Sequence, residues 1–176
     1  MKKITLLALF CAIVAVSPLS KASAQSVMKI GVVNMLYVIN ESNKGKQSKQ
    51  MIESQVRQAT EELKKQKQEI DLIQNELQTS MILSDSAKRE KQAQVQKMVQ
   101  QLQKDQAEKE KGFRNLEREK TELIFKEVQA VVKKLAEEKK LDWVLESQIA
   151  AGFLYSRTPA EDITEEVLQS YNKAGK

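Results

Sequence analysis

Between Lys44 and Lys140 the chain has no proline and only two glycines, Gly45 and Gly112, and its apolar residues recur at alternating spacings of three and four. Proline breaks a helix interior, and the three-four alternation is the seam of paired helices, so this stretch is constrained to long helices. Two stripes result. Ile52, Val56, Ala59, Leu63, Ile70, Ile73, Leu77 and Met81 form one; Val95, Met98, Leu102, Phe113, Leu116, Leu123, Ile124, Val128, Val131 and Leu135 form the other. Ser84-Asp85-Ser86 lies between them as the turn of an antiparallel hairpin, with its tip near 84–86. A helical hairpin of this length encloses no compact core, so its expected use is geometric: it reaches, spaces or encloses.

The second stripe is interrupted. From Gln103 to Gly112 the only apolar residue is Ala107, and the gap from Leu102 to Phe113 is a heptad plus a four-residue stutter, which locally unwinds a left-handed supercoil. Gly112 inside a helix costs about 1 kcal/mol relative to alanine, so the arms are expected to flex mid-length at Gly112. At the tip, Met81, Ile82 and Leu83 are three consecutive apolar side chains where a two-helix seam buries one or two. They are candidate contacts for varied partners, against the plainer alternative that they close the end of the seam.

Both ends of the chain read as one small β body. Met28 to Met35 is a short strand with Ile30 and Val32 on one face and Val33 and Met35 on the other. Leu36 to Asn40 then turns into helix, and the polar run Glu41 to Gly45 bends the chain into the first arm. After Lys140 the period becomes two, with Leu141, Trp143 and Leu145 facing one way. Ser147 to Ala150 is expected to turn, and Ala151 to Tyr155, with Phe153 and Tyr155 on one face, to return as a second strand that Pro159 ends. Asp162 and Glu165 fit a capping box opening a short amphipathic helix of Ile163, Val167, Leu168 and Tyr171. The expected class is α+β: an arm over 44–140 projecting from a body built of 25–43 and 141–176, with Ile30, Val32, Val33, Leu141, Trp143, Leu145 and Phe153 forming the core of the body or of its contact between copies. A body of about fifty residues is marginal alone, which predicts a symmetric homo-oligomer.

The first residues match an export signal: Lys2 and Lys3, an apolar run from Ile4 to Val16, then Ala22-Ser23-Ala24 as a cleavage site. Thirteen apolar residues are too few to span a membrane, which needs about twenty. Cleavage near Ala24 removes Cys11 and leaves a chain without cysteine or histidine. Disulfides, thiol nucleophiles, imidazole bases and metal ligation through those groups are then excluded, no glycine-rich phosphate loop is present, and no cofactor is expected. Adjacent carboxylates such as Glu61-Glu62, Glu137-Glu138 and Glu165-Glu166 lie on solvated helix faces and are assigned no catalysis. Without Lys2, Lys3 and Lys21 the basic residues fall from 29 to 26 against 24 acidic, a net +2. Lys44 to Lys140 holds 22 basic and 17 acidic residues, so a +5 arm stands on a −3 base. Nucleic-acid binding is not supported, since aromatic residues are scarce in the arms and the leader directs the protein elsewhere. Acidic proteins or anionic lipid head groups suit that compartment better.

Ile30-Gly31-Val32-Val33-Asn34-Met35, Leu141-Asp142-Trp143-Val144-Leu145 and Asp162-Ile163-Thr164-Glu165-Glu166-Val167-Leu168, in this order around a basic hairpin, resemble the Skp/OmpH family of periplasmic chaperones. The resemblance implies a homotrimer whose body is completed between subunits and whose three hairpins surround a cavity for unfolded outer-membrane proteins, held without ATP. It also implies contact with anionic lipid or lipopolysaccharide, for which no residue is assigned. The competing reading is a structural coiled-coil adaptor or spacer of the cell envelope, docking one fixed partner through the hairpin tip.

Overall fold

The computed structural model describes residues 27–175; the segment expected to be an export signal lies outside them. In chain order the elements are β1 (Ile30–Val33), α1 (Met35–Glu41), α2 (Asn43–Thr79), α3 (Asp85–Lys139), β2 (Trp143–Glu146), α4 (Ser147–Ala150), β3 (Ala160–Asp162) and α5 (Thr164–Ala174).

The 37 residues of α2 and 55 of α3 make rods of about 55 and 80 Å at 1.5 Å per residue. They pack against each other as the two arms of a hairpin. The 18 residues by which α3 exceeds α2 carry it onto the body, where Ile124 and Val128 are buried. Along the arm Ala59, Ile70 and Val95 are buried in the seam, while Leu123 turns outward and its neighbour Ile124 takes the inward place. In the interrupted stretch, polar side chains replace the missing apolar ones. Gln66 Nε2 donates to Asp105 Oδ2 at 3.2 Å, and Lys109 reaches Glu62 at 2.8 Å.

The turn is displaced from its expected place. The link is 80–84, and Ser84 caps α3 by accepting from the Ala87 N–H at 3.3 Å. Asp85 and Ser86 therefore belong to the helix, where Asp85 meets the positive end of the dipole. Gly112 does not interrupt α3, and a Cβ built there meets nothing within 4 Å. Gly112→Ala is accordingly expected to stabilise the arm by about 1 kcal/mol and to narrow the spread of arm positions. Thermal melting and small-angle scattering measure the two effects separately, and an unchanged spread removes Gly112 as the source of flexing.

Both ends of the chain meet in a three-stranded sheet of order β2-β1-β3. All pairs are parallel, with Ile30 opposite Trp143 and Ala160, and Val32 opposite Leu145 and Asp162. Parallel neighbours require a crossover, and the whole hairpin serves as one. The inner face carries Gly31, Val33 and Val144 against the core of Val38, Ile39, Ile124, Val128, Ile163, Val167 and Tyr171.

Five expectations for the C-terminal part are corrected. Ala151 to Tyr155 is not a strand: the Gly152 and Phe153 N–H groups bond to Ile149 O and Ala150 O at 3.1 Å, closing turns after α4 and diverting donors a strand ladder would use. Phe153 stays exposed and takes no part in the core of the single chain. Pro159 precedes a strand instead of ending one, a position at the start of a strand where its missing N–H does no harm. In β2 it is Val144, after Leu141, that packs on the core; Trp143 and Leu145 face away from it. The capping box is also absent, because Asp162 Oδ1 accepts from the nearer Thr164 N–H at 2.9 Å. The Thr164 hydroxyl, then that backbone bond, holds the Asp162 carboxyl below its ordinary range.

Candidate interaction surfaces

The body presents one sheet face that the described residues leave only partly covered. Alternation puts Ile30, Val32, Trp143 and Leu145 on the side opposite the core, and the register sets Ile30 beside Trp143 and Val32 beside Leu145. Trp143 is 60% exposed, and the other three are only half-buried. Parallel sheets are ordinarily covered on both faces, so a bare apolar one is unusual for a chain acting alone. Ile149, Phe153, Leu154 and Tyr155 lie exposed in and beyond α4, the segment that follows β2. Of the core residues expected from sequence, Val33 is buried and Leu141 packs against the core, Ile30, Val32, Trp143 and Leu145 gather on the bare face, and Phe153 stands in the loop.

The arm presents a second surface. Met81 and Ile82 at the tip are 98% and 94% exposed, whereas Leu83 is partly covered, so the seam closes on only one of the three. Met51, Val56, Leu72, Leu123 and Phe125 are further large apolar side chains exposed along the rods. Leu72 and Phe125 were not singled out by the stripes, since they fall outside the seam period; their exposure is what marks them.

A polar clamp fixes the arm to the body. Glu127 on α3 accepts from Lys44 Nζ on α2 at 2.6 and 2.8 Å and from the Tyr171 hydroxyl on α5 at 2.5 Å. Asn172 adds a bond from the Asn43 N–H at 2.9 Å. Lys139 at the end of α3 bridges Glu161 at 2.6 Å and Glu166 at 2.9 Å. Lys44, then Tyr171, holds the Glu127 carboxyl below its ordinary 4.5, while burial and then Glu127 push the Tyr171 hydroxyl up. A carboxylate with a depressed folded pKa contributes stability above its ordinary pKa and loses it as pH falls through the folded value. The clamp is therefore expected to loosen below about pH 4.5 and to be insensitive from there to neutrality. Glu127→Gln, which keeps the shape and removes the charge, is expected to flatten that acid limb of the melting temperature; an unchanged limb assigns it to other carboxylates.

Among the described residues no group of three His, Cys, Asp or Glu could hold a metal ion, and no helix is long and apolar enough to cross a membrane.

The profile of the family described as outer membrane protein (OmpH-like) matches residues 29–171. Among solved structures, the chain is similar to a crystal structure from Caulobacter crescentus CB15 described as an OmpH-like outer membrane chaperone. The TM-score is 0.75 at 15% identity, over 85% of this chain and 86% of that one. No curated protein matches. At that identity the structural likeness establishes a shared fold, and the family match spans both ends of the body as well as the arm.

Proposed function

The chain belongs to the OmpH-like (Skp) family of outer-membrane chaperones, a non-enzymatic family, and from that premise we propose that it is an ATP-independent periplasmic holdase. It shields unfolded outer-membrane proteins between its arms. The observation that carries this reading is the row of large apolar side chains left exposed along the rods and at their tip, from Met51 through Met81 and Ile82 to Phe125. An unfolded client is stabilised by whatever binds it in preference to its folded form, and release follows when insertion into the bilayer lies lower in free energy. No nucleotide is consumed. Many weak contacts spread over separated rods suit clients of different length.

Three copies, joined through the bare face of Ile30, Val32, Trp143 and Leu145, complete the body and set the arms around a common space. The incomplete cover of that sheet supports this assembly. The +5 arm adds a long-range attraction for acidic segments, and anionic lipid or lipopolysaccharide is a further partner of the same sign. Apparent client affinity is expected to fall with added salt, as screening shortens that attraction. An affinity flat in ionic strength removes the electrostatic contribution and leaves the apolar one.

The deciding experiment is suppression of aggregation for several unrelated outer-membrane barrels diluted from denaturant without nucleotide. The holdase suppresses all of them. The exposed tip favours one other reading, an envelope adaptor; that protein binds a single folded partner, suppresses none of the barrels, and is disabled by Met81→Ser or Ile82→Ser.

A further inference from the structure

Where the second apolar stripe lapses, the two rods leave an open groove of about 520 Å³ midway along the arm. Val56 and Leu63 of α2 and Leu102 and Phe113 of α3 supply its walls. Ala59 is part of the lining, and its short side chain fills little of the space. Between Leu102 and Phe113 the only apolar residue of α3 is Ala107, which faces solvent, so no apolar side chain of that rod fills the gap. The groove is thus a direct product of the eleven-residue spacing that sequence periodicity marks as a defect.

Its rim is positively biased. Of the charged groups lining it, Lys109 is paired with Glu62 at 2.8 Å and Glu110 with Arg114 at 3.8 Å. Lys64 and Lys67 make no ion pair among the described residues. An apolar trough flanked by two uncommitted ammonium groups fits an apolar side chain whose chain neighbours are carboxylates.

We propose that this mid-arm groove is a docking site for an aromatic or large aliphatic residue flanked by Asp or Glu in a non-native polypeptide. The inference rests on the holdase reading and deepens it, by naming one place on the rod and the local sequence it selects. Apolar burial in the trough supplies the attraction, and Lys64 and Lys67 supply the preference for acidic flanks. A lapse in packing that weakens the hairpin on its own becomes the surface through which the hairpin grips.

The test uses the full chain and two synthetic peptides, each carrying one fluorinated phenylalanine, flanked by glutamates in one and lysines in the other. Fluorine NMR reads binding directly. The glutamate peptide is expected to bind several-fold more tightly than the lysine peptide, and Lys64→Glu with Lys67→Glu to reverse that order. Thr60→Trp fills the trough from a groove-lining residue whose only side-chain bond is to its own helix, Val56 O at 2.8 Å, and is expected to weaken binding about tenfold. Circular dichroism confirms that each variant keeps its helix content. If both peptides bind the three proteins equally while all three proteins still suppress barrel aggregation, the groove is overturned and the holdase reading stands. A wild-type chain that suppresses no aggregation removes both.

Discussion

Gly45→Ala is expected to lower the thermal midpoint steeply, by roughly 10 °C, although the substitution adds one methyl group to a helix that would otherwise welcome it. A Cβ at this position lands 1.8 Å from the carbonyl oxygen of Ile39 and 3.0 Å from Ser42 Oγ. The first of these is backbone and cannot rotate away. Ser42, fully buried between α1 and α2, donates from its hydroxyl to Ile39 O at 3.0 Å and accepts from the Gly45 N–H at 3.0 Å. Moving α2 far enough to relieve the clash breaks both bonds inside the body. Gly45 has no positive φ, so alanine itself brings the usual gain of about 1 kcal/mol from a less flexible unfolded chain. The collision and the lost buried bonds cost about 3–4 kcal/mol and decide the sign. Gly112→Ala is the internal control, because the same exchange meets empty space there. If the two alanines shift the midpoint alike, the tight junction is not what Gly45 serves.

Which parts of this architecture could be read in advance follows from how strongly each is written in apolar period. The rods are long, and a stripe of many residues at three-four spacing leaves no alternative period. Gly45 was visible as a bend within Glu41 to Gly45, but the need for glycine comes from the approach of Ile39 O, a contact between two helices that no local pattern records. β3 was hidden because Ala160-Glu161-Asp162 has no hydrophobic alternation; it is held as an edge strand by pairing with β1. Ala151 to Tyr155 misled in the opposite way, with aromatic residues suited to a strand and donors already committed to turns. The two faces of β2 are not separable by period alone, because Leu141, Trp143 and Leu145 look like one face although Leu141 precedes the strand and packs inward with Val144. The clamp of Lys44, Glu127 and Tyr171 belongs to no motif, since its members lie on three helices and reach one another only when the body is built.

Trp143→Asp is expected to dissociate the assembly while leaving the hairpin helical. In the single chain the indole is 60% exposed and faces away from the core, so its loss leaves the apolar cluster behind β1 intact. Across a face shared between copies the effect is large. Removing a central tryptophan typically costs about 2–4 kcal/mol, and a carboxylate set among Ile30, Val32 and Leu145 adds its own desolvation. Every copy contributes the same change, so the penalty recurs at each contact of a symmetric complex. Native mass measurement is expected to show a trimer for the parent chain and single chains for the variant, with helical circular dichroism retained. Val144→Asp separates the two faces of the strand, because it places the carboxylate against the chain's own core and is expected to unfold the body outright. A second measurement covers the case in which the isolated body is too small to persist: the parent chain melts at a temperature that rises with concentration, as an obligate assembly must. A parent chain that melts independently of concentration, or a Trp143→Asp chain that stays trimeric, places the shared interface elsewhere. Aggregation suppression by the variant then tests the cavity itself, since arms freed from a common body retain their apolar side chains and lose the enclosed space between them.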